Sequence, residues 1–585
     1  MMLLQRLVQY AEETTDSAPF HREREFVWRI DLFSDGRPAR LTDIREPDAK
    51  GRLRGFREST PAMTRSIQVA AQLGADDVQY VLGWGDDTTK PDRVAQCHQQ
   101  FIELVSAWAD TAGHEPAAET VRAFYRDGDY THWERPEGYG AKQGVLLAVD
   151  GQLLSKAHSA IRFWTDEVTR RKSGKDAAAG LCLVCGRHGA LVKTIPTKIA
   201  ARLVPGAGND VALVSVNENV FGYGLTTSLA HTPICFTCGN AFSTGLTHLL
   251  GSEHAYRLPG QDSVMAWWVV GAPPRDVYDV MPRTADPGAV RRLLSRLRSG
   301  DLDRAAALAD QQESSERFCS VTLGGNNSRI MVRDWIDMPL TSALRNLALW
   351  HEHSHMVSEW EDEPQRHGLA ILLMATGRWE GSRYADHSSR SARRPEHIQR
   401  DLLARALRGV ALPPSVPHHV LRRIGADGHI DSARAALLRL ALCDPKKKEP
   451  SVTAGLDEKN QDTAYLFGRI FSVLEQIQYA ASEGKLNATF GDRHLAGAVA
   501  NPTPAVAAGR KLASAWLAKL RRRPNTRAKA VAFAETLDLI ADLADASKPL
   551  PTYLPARRQM QFVLGYHQQR AHDREQARAR KAAQS

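Results

Sequence analysis

The chain has 585 residues, too many for one hydrophobic core, so two or more domains are expected. Its 43% apolar and 24% charged content is that of an ordinary water-compatible globular protein, and no uninterrupted apolar run of about 18 residues exists, which argues against a membrane-spanning helix. A net charge of +9 points to a polyanionic partner.

The opening residues, Met1 to Glu12, read as a short amphipathic helix without the features of a signal peptide, so a cytoplasmic protein is expected. Phe26 to Phe33 reads as a strand that ends in the turn Ser34-Asp35-Gly36. From Arg37 to Arg65 the chain is polar, basic and broken by Pro and Gly, the pattern of a loop or a loosely paired hairpin. Within it, Lys50, Arg52, Arg54, Arg57 and Arg65 form a Gly-interleaved basic arm. Such an arm can be an exposed charged loop, or can track phosphates and read base edges, with Arg suited to guanine. Gln72, just beyond it, is the candidate for adenine.

Tyr80 to Gly83 reads as a short strand and Val94 to Trp108 as a helix. Strands are expected at Gly144 to Val149 and Val211 to Val216, with a helix around His158 to Arg170 between them. Two Cys-x-x-Cys pairs flank the second strand: Cys182-Leu183-Val184-Cys185-Gly186 and Cys235-Phe236-Thr237-Cys238-Gly239. Paired thiolates at this spacing suit tetrahedral zinc, and Gly after the second Cys permits the knuckle turn. Four sulfurs leave no position for water, so the expected Zn2+ is structural, in a zinc-ribbon-like element at about 180–240. The other reading is four buried thiols without metal. A hairpin, Phe318–Leu323 and Arg329–Trp335, is expected around Gly324-Gly325-Asn326-Asn327.

Trp350-His351-Glu352-His353-Ser354-His355 places His351 and His355 four apart, yet it is not H-E-x-x-H, and a solvated helix face is favoured over a metal site. There is no Walker-type loop, no nucleophile elbow and no constellation of carboxylates suited to two metals.

Beyond Asp401 the patterns are helical: Leu402–Leu407, His418–Ile424, Ser432–Leu442, then a linker at Cys443–Pro450. Four more helices follow, at Thr463–Ala481, Pro504–Arg522, Thr526–Asp545 and Pro555–Lys581, as in an antiparallel bundle. Residues 501–585 carry 16 Lys and Arg against 6 Asp and Glu, a net +10, so the preceding 500 residues sum to about −1. Arg510, Lys511, Lys519, Arg521, Arg522, Arg523, Arg527 and Lys529 gather around one interhelical turn, and charge this dense favours a nucleic acid as partner.

The fold expected is therefore α+β: a mixed α/β region at 1–400 with the inserted zinc-ribbon-like element, a helical connector at 401–451, and a basic all-α bundle at 452–585 that folds alone.

Several collinear segments resemble the large subunit of the type I-C CRISPR surveillance complex, Cascade. They are Tyr80-Val81-Leu82-Gly83, the first Cys pair, Ala212 through Phe221, Val332-Arg333-Asp334-Trp335, Arg422-Arg423-Ile424 through Arg434-Ala435-Ala436, Ala464 through Arg469, Leu486-Asn487-Ala488-Thr489 with Asp492-Arg493, and Leu564 through Arg570. The resemblance implies a noncatalytic subunit at the 5′ end of a guide CRISPR RNA. Such a subunit recognises the protospacer-adjacent motif in target double-stranded DNA, promotes R-loop formation and holds the displaced single strand. Its implied partners are the Cascade backbone and small subunits and a helicase-nuclease recruited on target binding. The C-terminal bundle resembles the small subunit, which is often also translated separately. Relatives often carry S-G-I-x-x-N-F where this chain has Ser66 to Gln72, so motif preference is expected to differ. The alternative is a stand-alone zinc-containing enzyme that processes nucleic acid, with His351, His353 or His355 at its site.

Overall fold

The structure, a computed structural model, describes residues 3–14, 18–47, 51–63, 69–173, 179–216, 218–226, 228–257, 262–271, 281, 286–311, 316–360, 365–387, 389–395, 397–544 and 553–583. The fold is α+β and its C-terminal part is all-helical. The chain forms two compact units. One comprises residues 1–255, 262–266 and 321–335; the other comprises 256–261, 267–320 and 336–585, on both sides of positions 400 and 451.

In the first unit a central sheet runs in the order Arg40–Asp43, Trp28–Leu32, Gly144–Val149, Ala75–Asp77, with Gln152–Leu153 paired to Gly144–Val149. Trp28–Leu32 and Gly144–Val149 are parallel. Every residue of Gly144–Val149 is buried, as its unbroken apolar run requires of a strand covered on both faces. The helix Pro91–Thr111 buries Val94, Cys97, Phe101, Leu104, Val105 and Trp108, the helical spacing seen in the sequence.

Much of the described part of the basic stretch after Gly36 is paired backbone. Leu53–Arg54 pairs with Glu46–Pro47, and Phe56–Pro61 lies antiparallel to His21–Phe26. A Cβ at Gly55 would fall 2.6 Å from the Phe26 carbonyl oxygen, so only glycine permits this approach.

Two strand expectations are corrected. Tyr80 to Gly83 is not extended: Val78–Val81 is a helical turn closed by Leu82 N–H donating to the Val78 carbonyl (2.9 Å). Apolarity alone cannot distinguish a buried turn from a buried strand. The second strand is Ala207–Ala212, so Leu213 to Val216 lie beyond it. The expected hairpin is one extended run, Arg317–Pro339, that doubles back. Leu340 N–H donates to the Glu316 carbonyl (3.2 Å), Arg317 pairs with Asp337, and Asn327 takes a left-handed φ of 57°.

The second unit carries the helices Pro287–Arg298 and Asp301–Gln311, and from Leu340 onward it is built mainly of helices. The bundle is built on Thr463–Ser482 and Ala556–Ala582, which cross at Gly468 and Gly565. Tyr465 donates its hydroxyl to Gln568 (2.5 Å), and Arg469 Nε donates to Gln569 Oε1 (2.8 Å). The sequence expectation lacked the helix Phe490–Ala498, capped by Thr489 and Asp492 in a reciprocal box. Arg423 and Arg434 are structural: both pair with Asp427, and Arg434 also donates to the Ala375, Gly377 and His429 carbonyls.

The last helix also depends on residues far upstream. Buried Glu359 receives Arg570 Nε at 3.0 Å and Arg574 Nε at 3.6 Å, with His567 Nδ1 at 3.5 Å. Burial pushes the Glu359 carboxyl up, but His567 and the two guanidinium groups outweigh it and hold the carboxyl low. A carboxyl depressed in the folded state contributes stability above its ordinary range and loses it as pH falls. Glu359→Gln is expected to cost about 2 kcal/mol at neutral pH, because two charge-assisted contacts become weaker ones. Urea titrations at pH 7 and pH 4 should show the wild-type advantage shrinking on acidification; an advantage unchanged with pH would contradict this role. Segment 452–585 expressed alone lacks Glu359 and should be less stable than the same helices in the whole chain.

Candidate nucleic-acid interface and metal centre

The first cysteine pair sits on a hairpin. Ala179–Leu181 lies antiparallel to His188–Ala190, Cys182 N–H donates to the Arg187 carbonyl (2.9 Å), and Gly186 turns the chain with φ 70°. The second pair opens the helix Phe236–Gly251: Cys235 is its N-cap, and the sulfur accepts from Cys238 N–H (3.5 Å). The knuckles are laced together by Leu183 N–H to the Pro233 carbonyl (2.9 Å) and Val192 N–H to the Ile234 carbonyl (2.8 Å). Gln5 of the first helix donates to the Val184 carbonyl (2.9 Å), which ties the N-terminus to the site.

All four sulfurs lie within 4.8 Å of one another. Cys182 Sγ accepts backbone N–H groups of Val184 (3.4 Å) and Cys235 (3.3 Å). Cys235 is drawn down to about 5, first by its hydrogen bond with Cys238, whose own thiol is pushed up in return. At Cys185 burial pushes upward, but contacts from Arg187 prevail and lower it. The cluster can hold a metal ion, and four soft donors with no fifth suit a closed, structural centre.

His351, His353 and His355 do not form such a centre. Among the described residues, the four cysteines are the only group of three or more His, Cys, Asp and Glu side chains close enough to share an ion. The solvated-face expectation is also corrected. The helix ends at His353, so His355 lies past it, while His351 and His353 are buried. His353 Nδ1 accepts from Arg405 (2.8 Å), and His355 Nε2 meets Gln365 Oε1 at 3.1 Å. Burial, with Arg405 beside it, pushes the His353 pKa from 6.5 down to about 4. The imidazole is thus neutral in the folded protein, and its contribution is present above pH 6.5 and lost as pH falls toward 4. Acid melting curves of wild type and His353→Gln should diverge across that window, the wild type losing more stability.

The candidate nucleic-acid contacts divide by burial. Arg52, Arg54 and Arg57 are exposed, with Arg57 3.6 Å from exposed Glu23. Lys50 and Arg65 lie outside the described residues. Gln72 is buried, and its amide is engaged: the oxygen accepts from Arg24 (2.8 Å) and the nitrogen donates to the Met63 carbonyl (3.3 Å). Arg24 also pairs with Asp77 (2.8 Å). Reading a base through Gln72 would require it to leave both partners.

In the bundle, Pro502–Arg521 and Arg527–Asp542 are joined by the turn Pro524–Thr526, held by Thr526 Oγ1 donating to the Leu520 carbonyl (2.8 Å). Arg510, Lys511, Lys519, Arg521, Arg522, Arg527 and Lys529 are exposed on this pair; Arg523 is half-buried and paired with Glu483.

A further basic cluster escaped the sequence reading. Arg393, Arg394, His418, His419 and Arg422 line one cleft of the second unit. Two separate segments supply them, and neither reads as a basic run longer than two residues.

Among the described residues no helix is long and apolar enough to cross a membrane. A model of the family described as CRISPR-associated protein (Cas_Csd1) matches residues 4–573. No curated protein matches the chain.

Proposed function

The chain belongs to the Csd1 family of CRISPR-associated proteins, and on that premise we propose that it is the noncatalytic large subunit of a type I-C RNA-guided surveillance complex. The observation that carries this reading is the extent of the match, 4–573, which takes in both the arginine-bearing strands at 52–57 and the basic helices at 510–529. In this reading the subunit acts in the cytoplasm and docks the 5′ end of the guide CRISPR RNA. It recognises the protospacer-adjacent motif in duplex DNA, promotes R-loop formation, holds the displaced strand and helps recruit the helicase-nuclease.

Arg52, Arg54 and Arg57 are suited to the first task. Arg54 and Arg57 stand on paired strands and Arg52 directly precedes the first of them, so the guanidinium groups start from an ordered backbone, and Arg matches guanine bidentately. The exposed cations at 510–529 suit the second, since a single strand presents phosphates rather than a fixed groove. Zinc is the ion proposed for the four cysteines; with every position filled by sulfur it would brace the fold. The stand-alone enzyme reading loses its histidine site, because His351 and His353 are buried and His353 is engaged with Arg405.

The test is reconstitution with guide RNA and the other subunits, followed by binding to duplexes with permuted motifs. Alanine at Arg52, Arg54 and Arg57 together should reduce discrimination by about 1–3 kcal/mol per lost base pairing. Unchanged affinity and motif preference would place the reading site elsewhere. Single-strand binding by the whole chain should weaken with salt with a log–log slope of roughly −3 to −4. Arg521→Glu with Arg522→Glu should flatten that slope. Turnover of labelled DNA or RNA by the purified chain with divalent metal would instead support the enzyme.

A further inference from the structure

The cleft of 440 Å³ in the second unit is lined by Arg393, Arg394, Ser415, His418, His419 and Arg422, together with one proline. Among the described residues no carboxylate lines it. Its basic side chains are held in different ways. Arg394 is fixed: its guanidinium donates to the Leu373 (3.3 Å), Asp386 (3.0 Å) and Ala385 (2.5 Å) carbonyls, and the Asp386 carboxylate acts on it electrostatically. His419 is buried, with Nε2 to the Thr376 carbonyl (2.9 Å) and Nδ1 accepting from Arg422 (3.0 Å). Arg393, His418 and Arg422 are exposed at the rim.

The backbone reinforces this arrangement. Arg393 has φ 51°, the left-handed region that non-glycine residues seldom occupy. The cleft also receives the start of the helix Ser415–Asp427, whose amide end favours an anion.

We propose that this cleft is a phosphate-binding site that grips the phosphodiester backbone of a single-stranded nucleic acid. The proposal rests on the reading of the chain as a nucleic-acid-bound subunit and adds a contact site that the sequence patches at 52–57 and 510–529 do not include. An open cleft with guanidinium groups at its rim suits a strand passing over it, because each phosphate can be met without enclosing a base.

The test uses the full chain and a labelled single-stranded oligonucleotide, with binding followed across a salt series. Arg393→Gln with Arg422→Gln should lower affinity about tenfold at low salt and reduce the log–log slope by about 1.4, the value for two lost phosphates. Arg393→Lys with Arg422→Lys should keep most of the slope, which separates charge from packing; an equal loss in the lysine variant at unchanged melting temperature would overturn the proposal. Inorganic phosphate and a mononucleotide are run as separate ligands. If either binds the cleft as tightly as the oligonucleotide, the polymer assignment is overturned. If the Gln variant binds as wild type while Arg521→Glu with Arg522→Glu loses binding, the cleft proposal fails and the functional reading stands. If the wild-type chain binds no single strand, both fail.

Discussion

Alanine at Gly468 or Gly565 is expected to cost about 3 kcal/mol or more, among the largest penalties of any single substitution in the second unit. A Cβ at Gly468 would fall on the Phe562 carbonyl oxygen and close to Tyr566 N; a Cβ at Gly565 would fall on the Tyr465 carbonyl oxygen. In each case the obstacle is backbone, which cannot turn aside as a side chain can. The helices Thr463–Ser482 and Ala556–Ala582 would have to separate, opening the Tyr465–Gln568 and Arg469–Gln569 hydrogen bonds between them. Ala464 through Arg469 and Leu564 through Arg570 are both segments of the Cascade resemblance, and the crossing gives a physical reason for their pairing. Gly497, where an added Cβ meets nothing within 4 Å, is the control and should tolerate alanine. Thermal melting of the three variants checks this: Gly468→Ala and Gly565→Ala should fall well below wild type, and Gly497→Ala should not. Equal melting temperatures for all would show that the two helices do not cross this closely.

Loss of the metal is expected to unfold the cysteine element locally. Freshly purified protein should carry about one equivalent of zinc, and Cys235→Ser should lose it. Cys235 is at once a helix N-cap, a ligand candidate and the donor of its N–H to Cys182 Sγ. Structural zinc sites in small domains hold their ion with about 10–16 kcal/mol of apparent free energy. The cost here is reduced by the surrounding backbone bonds between the knuckles, yet protection of the amides across 179–251 should collapse in hydrogen exchange. Cys97→Ser, which alters a buried thiol on the helix Pro91–Thr111, should leave metal content unchanged. Metal-free wild-type protein with full protection across 179–251 would count against a metal and leave four free thiols, Cys182 and Cys238 buried and Cys185 and Cys235 half-buried.

Much of this was legible in the sequence because it depends on local patterns. The cysteine pairs, each three residues apart with glycine following, specify a knuckle whatever surrounds them, and the structure brings all four sulfurs together. The helices from Ile398 onward, all but the short Phe490–Ala498, follow from their 3.6-residue periodicity, and Ser432–Leu442 matches its expected bounds. The charge excess after Asn501 is a count, and like charges this dense repel one another, which is why a polyanionic partner was expected for them.

What tertiary structure alone decided are matters of partnership between distant residues. His351 and His353 carry no mark of burial in their spacing; Arg405, more than fifty residues on, turns His353 inward. Gln72 reads as a free amide until Arg24 and Met63 are seen to occupy it. Arg393 and Arg422 become one cationic cleft only when two segments fold together, and Glu359 becomes the counter-ion of the last helix only across some two hundred residues. Periodicity and spacing report on a residue's own element. Burial, ion pairing and close backbone approach are set by whichever element packs against it, and no local pattern encodes that.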